Sequence, residues 1–312
     1  MTVREVEHEI TVLAPPAEVY RFIAEVENWP LIFPPTVHVE YAERGERTER
    51  IQIWATVNGS ARNWTSRREL DPGALRIRFR AEVPAPPVAA MGGTWLLEPA
   101  GDGACRVRLL HDYRAVDDDP DNLAWIDAAV DRNSKSELGA LKANVELATG
   151  AAELLLDFTD ELRIDGRAKD VYDFIDQAGE WRDRLPHVKS VDLEEVSPGL
   201  QILAMETITK DGGSHTTKSV RVCFPDSSIV YKQIETPALM TLHTGRWTFT
   251  EDGDGTLATS RHTVVINPDN IERILGPDAT VADAKDFVRA ALGGNSLATL
   301  GHAKRYAEAL RS

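Results

Sequence analysis

The chain has 312 residues, 42% hydrophobic and 27% charged, which supplies apolar side chains for a core but exceeds the length one core usually serves, so two domains of similar size are expected. Its net charge of −15 repels phosphate backbones and anionic lipid, which argues against nucleic acid and membrane as partners. Cys105 and Cys223 cannot build a disulfide framework and lack metal-ligand spacing; with a charged opening, MTVREVEHEI, and no apolar run of membrane-spanning length, a cytoplasmic protein is expected.

From the N-terminus, a strand is predicted at about residues 5–13, then a short helix opened by Ala14-Pro15-Pro16, since proline is tolerated in a first helical turn. Val19-Tyr20-Arg21-Phe22-Ile23 lies in that helix, with Trp29, Pro34 and Val39 beyond it. Asn58-Gly59 between apolar strands signals a type I′ hairpin turn. The next strand carries Trp64, Ser66 and Arg68 at i, i+2 and i+4, so all three project from one face. Gly93 and Trp95 mark a later strand. On the last strand Val107, Leu109, His111 and Tyr113 share one face, while Arg106, Arg108, Leu110, Asp112 and Arg114 share the other. A long terminal helix is predicted from Leu123 to Leu147, where Leu138, Leu141 and Val145 keep helical spacing and can pack across the sheet.

These landmarks then return in the same order. Val171-Tyr172-Asp173-Phe174-Ile175, Trp181, Pro186 and Val191 repeat the first block; Ser219, Arg221, Gly245, Trp247 and His262 repeat the middle; Asn295-Ser296, Leu300-Gly301 and Lys304 repeat Asn133-Ser134, Leu138-Gly139 and Lys142. Ordered recurrence at a steady offset is the signature of duplication. The Ala/Gly segment 148–152 reads as the linker, Glu153 to Ile164 as the second copy's first strand, and residues 284–311 as its terminal helix, giving domains 1–150 and 151–312. Asp211-Gly212-Gly213 stands where Asn58-Gly59 does, and Gly253-Asp254-Gly255 joins two strands as a hairpin turn.

A W-x-S-x-R strand is by itself compatible with a solvated surface. Its recurrence as Ser219 and Arg221, with Thr217 replacing the tryptophan, points to an inward polar pair. His111 fits a hydrogen-bonded core histidine and an acid/base group equally well. Trp29, Trp64 and Trp95 either pack a core or wall a cavity for a flat ligand. No dinucleotide, P-loop, nucleophile-elbow or zinc motif is present, so neither cofactor nor metal is expected.

The two V-Y-x-F-I segments each followed by W, the two S-x-R strands and the two N-S-x-x-x-L-G-x-x-K helices resemble, over the whole chain, the di-domain aromatase/cyclases of bacterial type II polyketide synthases. The resemblance implies an α+β fold of two tandem helix-grip (START, or Bet v 1-like) domains, each a curved antiparallel sheet wrapped around a long C-terminal helix with an internal pocket. It implies a poly-β-ketone substrate, reduced at carbon 9 and carried by an acyl carrier protein, with ketosynthase and ketoreductase as further partners. The reaction would be an aldol closure joining carbons 7 and 12, then loss of water to an aromatic ring. Trp29, Trp64 and Trp95 would bind substrate. Arg68 would stabilise charge on oxygen, with Ser66, His111 and Tyr113 as acid/base candidates. Trp181, Ser219, Arg221 and His262 would form a more polar second pocket, which also has His187 where the first half has Pro35. The first half is expected to close the ring and the second to assist dehydration or support the fold. Arg62 and Arg67 are candidate carrier contacts. The competing function is non-catalytic carriage of a lipid or quinone, because fold alone does not establish chemistry.

Overall fold

The computed structural model describes residues 3–57, 59–150, 152–208 and 213–311. It divides into two compact units, Met1–Ala152 and Glu153–Ser312.

In the first unit β1 (Arg4–Val12) leads into α1 (Pro16–Ala24) and the single turn α2 (Trp29–Ile32). Five strands follow as a meander: β2 (Thr36–Arg44), β3 (Thr48–Val57), β4 (Ser60–Asp71), β5 (Arg76–Ala81) and β6 (Val88–Pro99). β7 (Cys105–Ala115) then brings the chain back beside β1, and α3 (Pro120–Gly150) closes the unit. The sheet order is β1-β7-β6-β5-β4-β3-β2 with every neighbouring pair antiparallel. Alternation explains the layering: on β7, Cys105, Val107, Leu109 and Tyr113 are buried, while outward Arg106 and Arg108 pair with Glu9 and Glu7 of β1. Leu138, Leu141 and Val145 of α3 join Val12, Val19, Ile23 and Trp95 in one core cluster.

The second unit repeats the plan. β8 (Leu155–Ile164), α4 (Ala168–Asp176) and α5 (Trp181–Arg184) precede β9 (Val188–Ser197), β10 (Leu200–Ile208), β11 (Ser214–Phe224), β12 (Ser228–Glu235), β13 (Met240–Asp252) and β14 (Gly255–Ile266). The short helix α6 (Ile271–Leu275) and the long helix α7 (Val281–Ala309) complete it, and the sheet order is β8-β14-β13-β12-β11-β10-β9. Thr280 caps α7 through a capping box with Asp283. Each unit is thus the expected helix-grip domain.

The differences lie at element ends. α3 begins before Leu123 and runs through most of the expected linker to Gly150, because its alanine-rich end is a good helix former. The second unit's first strand starts at Leu155, after a helical turn at Ala152–Leu154. Val57 pairs with Ser60, and Gly59 has φ of 81°, as a two-residue hairpin requires; Asn58, and Asp211-Gly212 of the second turn, lie outside the described residues. Gly253-Asp254 does form a hairpin turn, with Asp252 opposite Gly255.

Candidate active site

β4 in the first unit and β11 in the second carry the S-x-R pair on their inner faces. Ser66 is buried and donates to the Arg80 carbonyl at 3.2 Å. Arg68 is 2% exposed. Its guanidinium donates to the carbonyls of Ile23 (2.9 Å) and Ala24 (3.1 Å) at the end of α1 and to Glu49 at 3.2 Å, and it lies over Trp29. Glu49 stands directly opposite Arg68 across β3 and β4. Burial pushes the Glu49 carboxyl up against the pull of Arg68, and burial lowers Arg68, yet a guanidinium keeps its charge in any protein site. The pair is therefore a neutralised brace between sheet and helix. The guanidinium expected to stabilise charge on oxygen is thus already hydrogen-bonded to Glu49.

The other first-unit candidates separate. Trp29 donates its indole N–H to the Ile23 carbonyl and meets Phe33 edge-on. Trp95 is 4% exposed and packs on Phe33 in the core. Trp64 packs against Val39, Ile51 and Ile53 in a cluster that Trp29 also touches, so Trp29 links Trp64 to the core that holds Trp95. His111 sits 3.5 Å from Ser134 on α3 and edge-on to Phe79, and burial lowers its pKa to about 4. Tyr113 does not join it as a free acid: its hydroxyl donates to Asp127 in a short contact, and burial and that carboxylate push it up to about 12.

In the second unit the equivalent residues converge on a cavity between the sheet and α7. Its volume is about 130 Å³, below the roughly 300–1,000 Å³ of typical ligand pockets. Trp181 and Trp247 form aromatic wall, with Leu203, Met205 and Leu292; Ser219, Arg221, Tyr231, His243, His262 and Ser296 supply polar groups, and His187, His215 and Thr217 add to them. In this unit Ser219, Arg221, Tyr231, His243 and His262 line one open space together.

Arg221 donates to the carbonyls of Ile175 (2.6 Å) and Asp176 (3.4 Å) and lies over Trp181. The brace to the helix end is thus kept, but Gln201, not a glutamate, stands opposite Arg221, and no acid pairs with Arg221 among the described residues. Arg221 thus lines the cavity without a direct ion pair among the described residues, while the nearby Asp176 carboxylate accepts from Gln201 at 3.3 Å. Tyr231 is its neighbour across β11 and β12.

His262 joins the remaining groups. Its Nδ1 is 3.2 Å from the Tyr231 hydroxyl and 2.9 Å from His243 Nε2; its Nε2 is 2.9 Å from Ser296 Oγ and 3.1 Å from Ser260 Oγ. Phe158 and His243 both stack on it. Burial lowers His262 to about 4 and His243 to about 3, so both imidazoles are neutral at neutral pH. Burial raises Tyr231 far above the usual phenol range, only partly opposed by Arg221, so its proton stays on oxygen. The arrangement offers a phenolic donor backed by a chain of neutral hydrogen-bonding groups and flanked by a fixed positive charge.

Tyr231 and His243 were missed in the sequence. His243, Gly245 and Trp247 alternate along β13, and that period of two was the available signal for His243. Tyr231 shows only once β12 is registered against β13, where it lies opposite Gly245. Among the described residues no group of three His, Cys, Asp or Glu side chains could hold a metal, and no helix is long and apolar enough to cross a membrane.

The family model described as polyketide cyclase / dehydrase and lipid transport matches residues 3–146 and again 156–308. The granaticin polyketide synthase bifunctional cyclase/dehydratase of Streptomyces virginiae is 54% identical over 302 residues, covering 96% of this chain and 98% of that protein. The actinorhodin polyketide synthase bifunctional cyclase/dehydratase of Streptomyces coelicolor is 47% identical over 306 residues, covering 95% and 94%. Among solved structures, the di-domain ARO/CYC BexL from the BE-7585A biosynthetic pathway is 64% identical with a TM-score of 0.93, covering 98% of this chain and 99% of that one. StfQ, the di-domain ARO/CYC from the steffimycin pathway, is 35% identical with a TM-score of 0.88 over the same shares.

Proposed function

The chain belongs to the polyketide cyclase/dehydrase and lipid transport family, and from that premise we propose that it is a polyketide cyclase/dehydratase whose ring closure takes place in the cavity of the second unit. The buried Arg221, without a direct ion pair among the described residues and beside Tyr231 and His262, is the observation that carries this reading. The substrate is a linear, ketoreduced poly-β-ketone held as a thioester on the phosphopantetheine arm of an acyl carrier protein, and the first ring joins carbons 7 and 12. The mouth of the cavity admits the arm, and Trp181 and Trp247 fold the chain so that one pair of carbons meets, which supplies both rate and regiochemistry.

In the aldol step an enolate carbon forms a bond to a ketone carbon, and the ketone oxygen becomes an alkoxide. Arg221 stabilises negative charge on oxygen before and after attack, at a fixed position in a low-dielectric site. Tyr231 gives its proton to the new alkoxide, and His262 Nδ1 supports the phenol while Ser296 and Ser260 hold the opposite ring nitrogen. Synthase partners dock on the surface around the mouths. Arg62 is exposed and without an ion-pair partner among the described residues, whereas Arg67 is tied to Glu82 at 2.8 Å.

The test is product analysis of a reconstituted minimal polyketide synthase with ketoreductase, adding wild-type protein, Arg221→Ala or Arg68→Ala. Wild type is expected to redirect shunt products to the ring closed between carbons 7 and 12, and Arg221→Ala to lose that product while remaining folded. Closure that survives Arg221→Ala sinks the assignment of the site, and no effect of wild type on products favours simple carriage of a ligand.

A further inference from the structure

The first unit contains a carboxyl group that neither the brace nor the core explains. On α3, Ser134, Glu137, Leu138 and Leu141 follow at i, i+3, i+4 and i+7, so they share a helix face. Ser134 reaches His111 of the sheet, and Leu138 and Leu141 are in the core, so that face is turned toward the sheet. The duplication gives the same answer. Asn133-Ser134 matches Asn295-Ser296, so Glu137 falls opposite Thr299, a wall residue of the second cavity.

Glu137 is half-buried and has neither a hydrogen bond nor an ion pair among the described residues. Three other acids of the helix behave differently: Asp131 pairs with Lys135 and His8, Glu146 with Lys142, and Asp127 accepts from Tyr113. Trp29 of α2 and, on the inner face of the sheet, Trp64, Phe79, Met91 and His111 are also only half-buried, so apolar and aromatic side chains on this side keep accessible surface. Such a surface suits a flattening ring.

We propose that the first unit is a second reaction station, in which Glu137 is the acid/base of dehydration. It rests on the cyclase/dehydratase reading above but concerns a different site. The substrate is the closed ring bearing a hydroxyl β to a ketone. The Glu137 carboxylate removes the α-proton, and the C–H electron pair forms the C=C bond as the C–O bond breaks. The same proton passes from Glu137 to the departing hydroxyl, which leaves as water, and the carboxylate is regenerated with no co-reactant.

The surrounding groups leave this task to Glu137. Around α3, β1 presents His8, held by Asp131; β7 presents His111 and Tyr113, the latter held by Asp127; α2 carries no titratable group; and Arg68 across the sheet is neutralised by Glu49. Burial alone, with no neighbouring charge opposing it, pushes the Glu137 carboxyl up to about 7, whereas His111 is neutral. A group that gains and loses a proton near the working pH is suited to both halves of the elimination.

The experiment uses the full chain in the reconstituted synthase, comparing wild type, Glu137→Gln and Glu137→Asp, with each variant's fold checked by thermal unfolding. Glu137→Gln is expected to cut the aromatised product at least about 10-fold and to accumulate the closed, undehydrated alcohol, with Glu137→Asp recovering part of the loss. Infrared difference titration of the free protein supplies a second readout. A protonated-carboxyl band should vanish between about pH 6 and about pH 8 in wild type and be absent in Glu137→Gln. Unchanged products with Glu137→Gln, or no such band in wild type, overturn the proposal alone. Wild type without effect on products overturns the cyclase/dehydratase reading and the proposal together.

Discussion

Phe79 and Met91 in the first unit stand where the second has Tyr231 and His243: each phenyl or phenol lies opposite a repeat glycine, Gly93 or Gly245, and Met91 and His243 sit two residues before that glycine. Two apolar side chains have thus been exchanged for a hydroxyl and an imidazole on an unchanged frame. Tyr231→Phe is expected to lower ring closure by about 10²–10⁴-fold, the usual contribution of a positioned proton donor, with little change in melting temperature; single-turnover product formation and thermal unfolding together check this. His243→Met should cost less activity and no stability, since His243 Nδ1 is buried without a protein partner among the described residues. The two arginines are expected to differ in kind. Arg68→Ala strands a buried Glu49 and should destabilise the first unit by about 3–5 kcal/mol, measured by urea unfolding. A matching loss on Arg221→Ala, which breaks no direct ion pair among the described residues, would mean that the two braces are equivalent. The S-x-R pattern was legible in the sequence twice over, yet it did not distinguish these fates, because the deciding residues, Glu49 and Gln201, lie on neighbouring strands.

At the level of elements, the aromatic-over-glycine contact is what fixes the cavity wall. A Cβ at Gly245 would collide with the Tyr231 ring, and one at Gly93 would collide with Phe79 and the Leu110 carbonyl. Gly245→Ala is therefore expected to displace Tyr231 at a cost of about 1–3 kcal/mol and to abolish ring closure as fully as Tyr231→Phe. A near-ultraviolet circular dichroism change accompanied by retained far-ultraviolet signal would register the displaced ring; unaltered activity would show that Tyr231 is not held there. The G-x-W recurrence was visible from sequence as a landmark. Its reason was not, since the partner ring arrives from β5 or β12, 14 residues away along the chain. Helices and strands themselves were legible because their periods of 3.6 and 2 are local, and the errors fell at α3 and β8, where helix propensity overran a loop-like composition.

For the whole molecule, stability should carry the signature of the buried imidazoles. His262 and His243 are held at about 4 and about 3, below the unfolded value near 6.5. The unfolded chain then takes up protons that the folded one refuses. Their contribution is fully present above about pH 6.5 and is lost as pH falls toward 4, at up to about 1.4 kcal/mol per pH unit for each. Urea unfolding at about pH 7.5 and about pH 5 measures this, and His243→Met should remove part of the difference; an unchanged difference would mean that other groups dominate. The sequence by itself determined the duplication, the helix-grip order of elements in each half, the inward face of every motif strand and the absence of a cofactor motif, because repeats and periodicities are properties of the chain. Only the tertiary structure decided which arginine is paired with a carboxylate, where His243 and Tyr231 meet His262, and that Glu137 lies half-buried without a partner among the described residues. Those facts depend on register between strands and on packing of helix against sheet, which bring together residues that local pattern treats as unrelated.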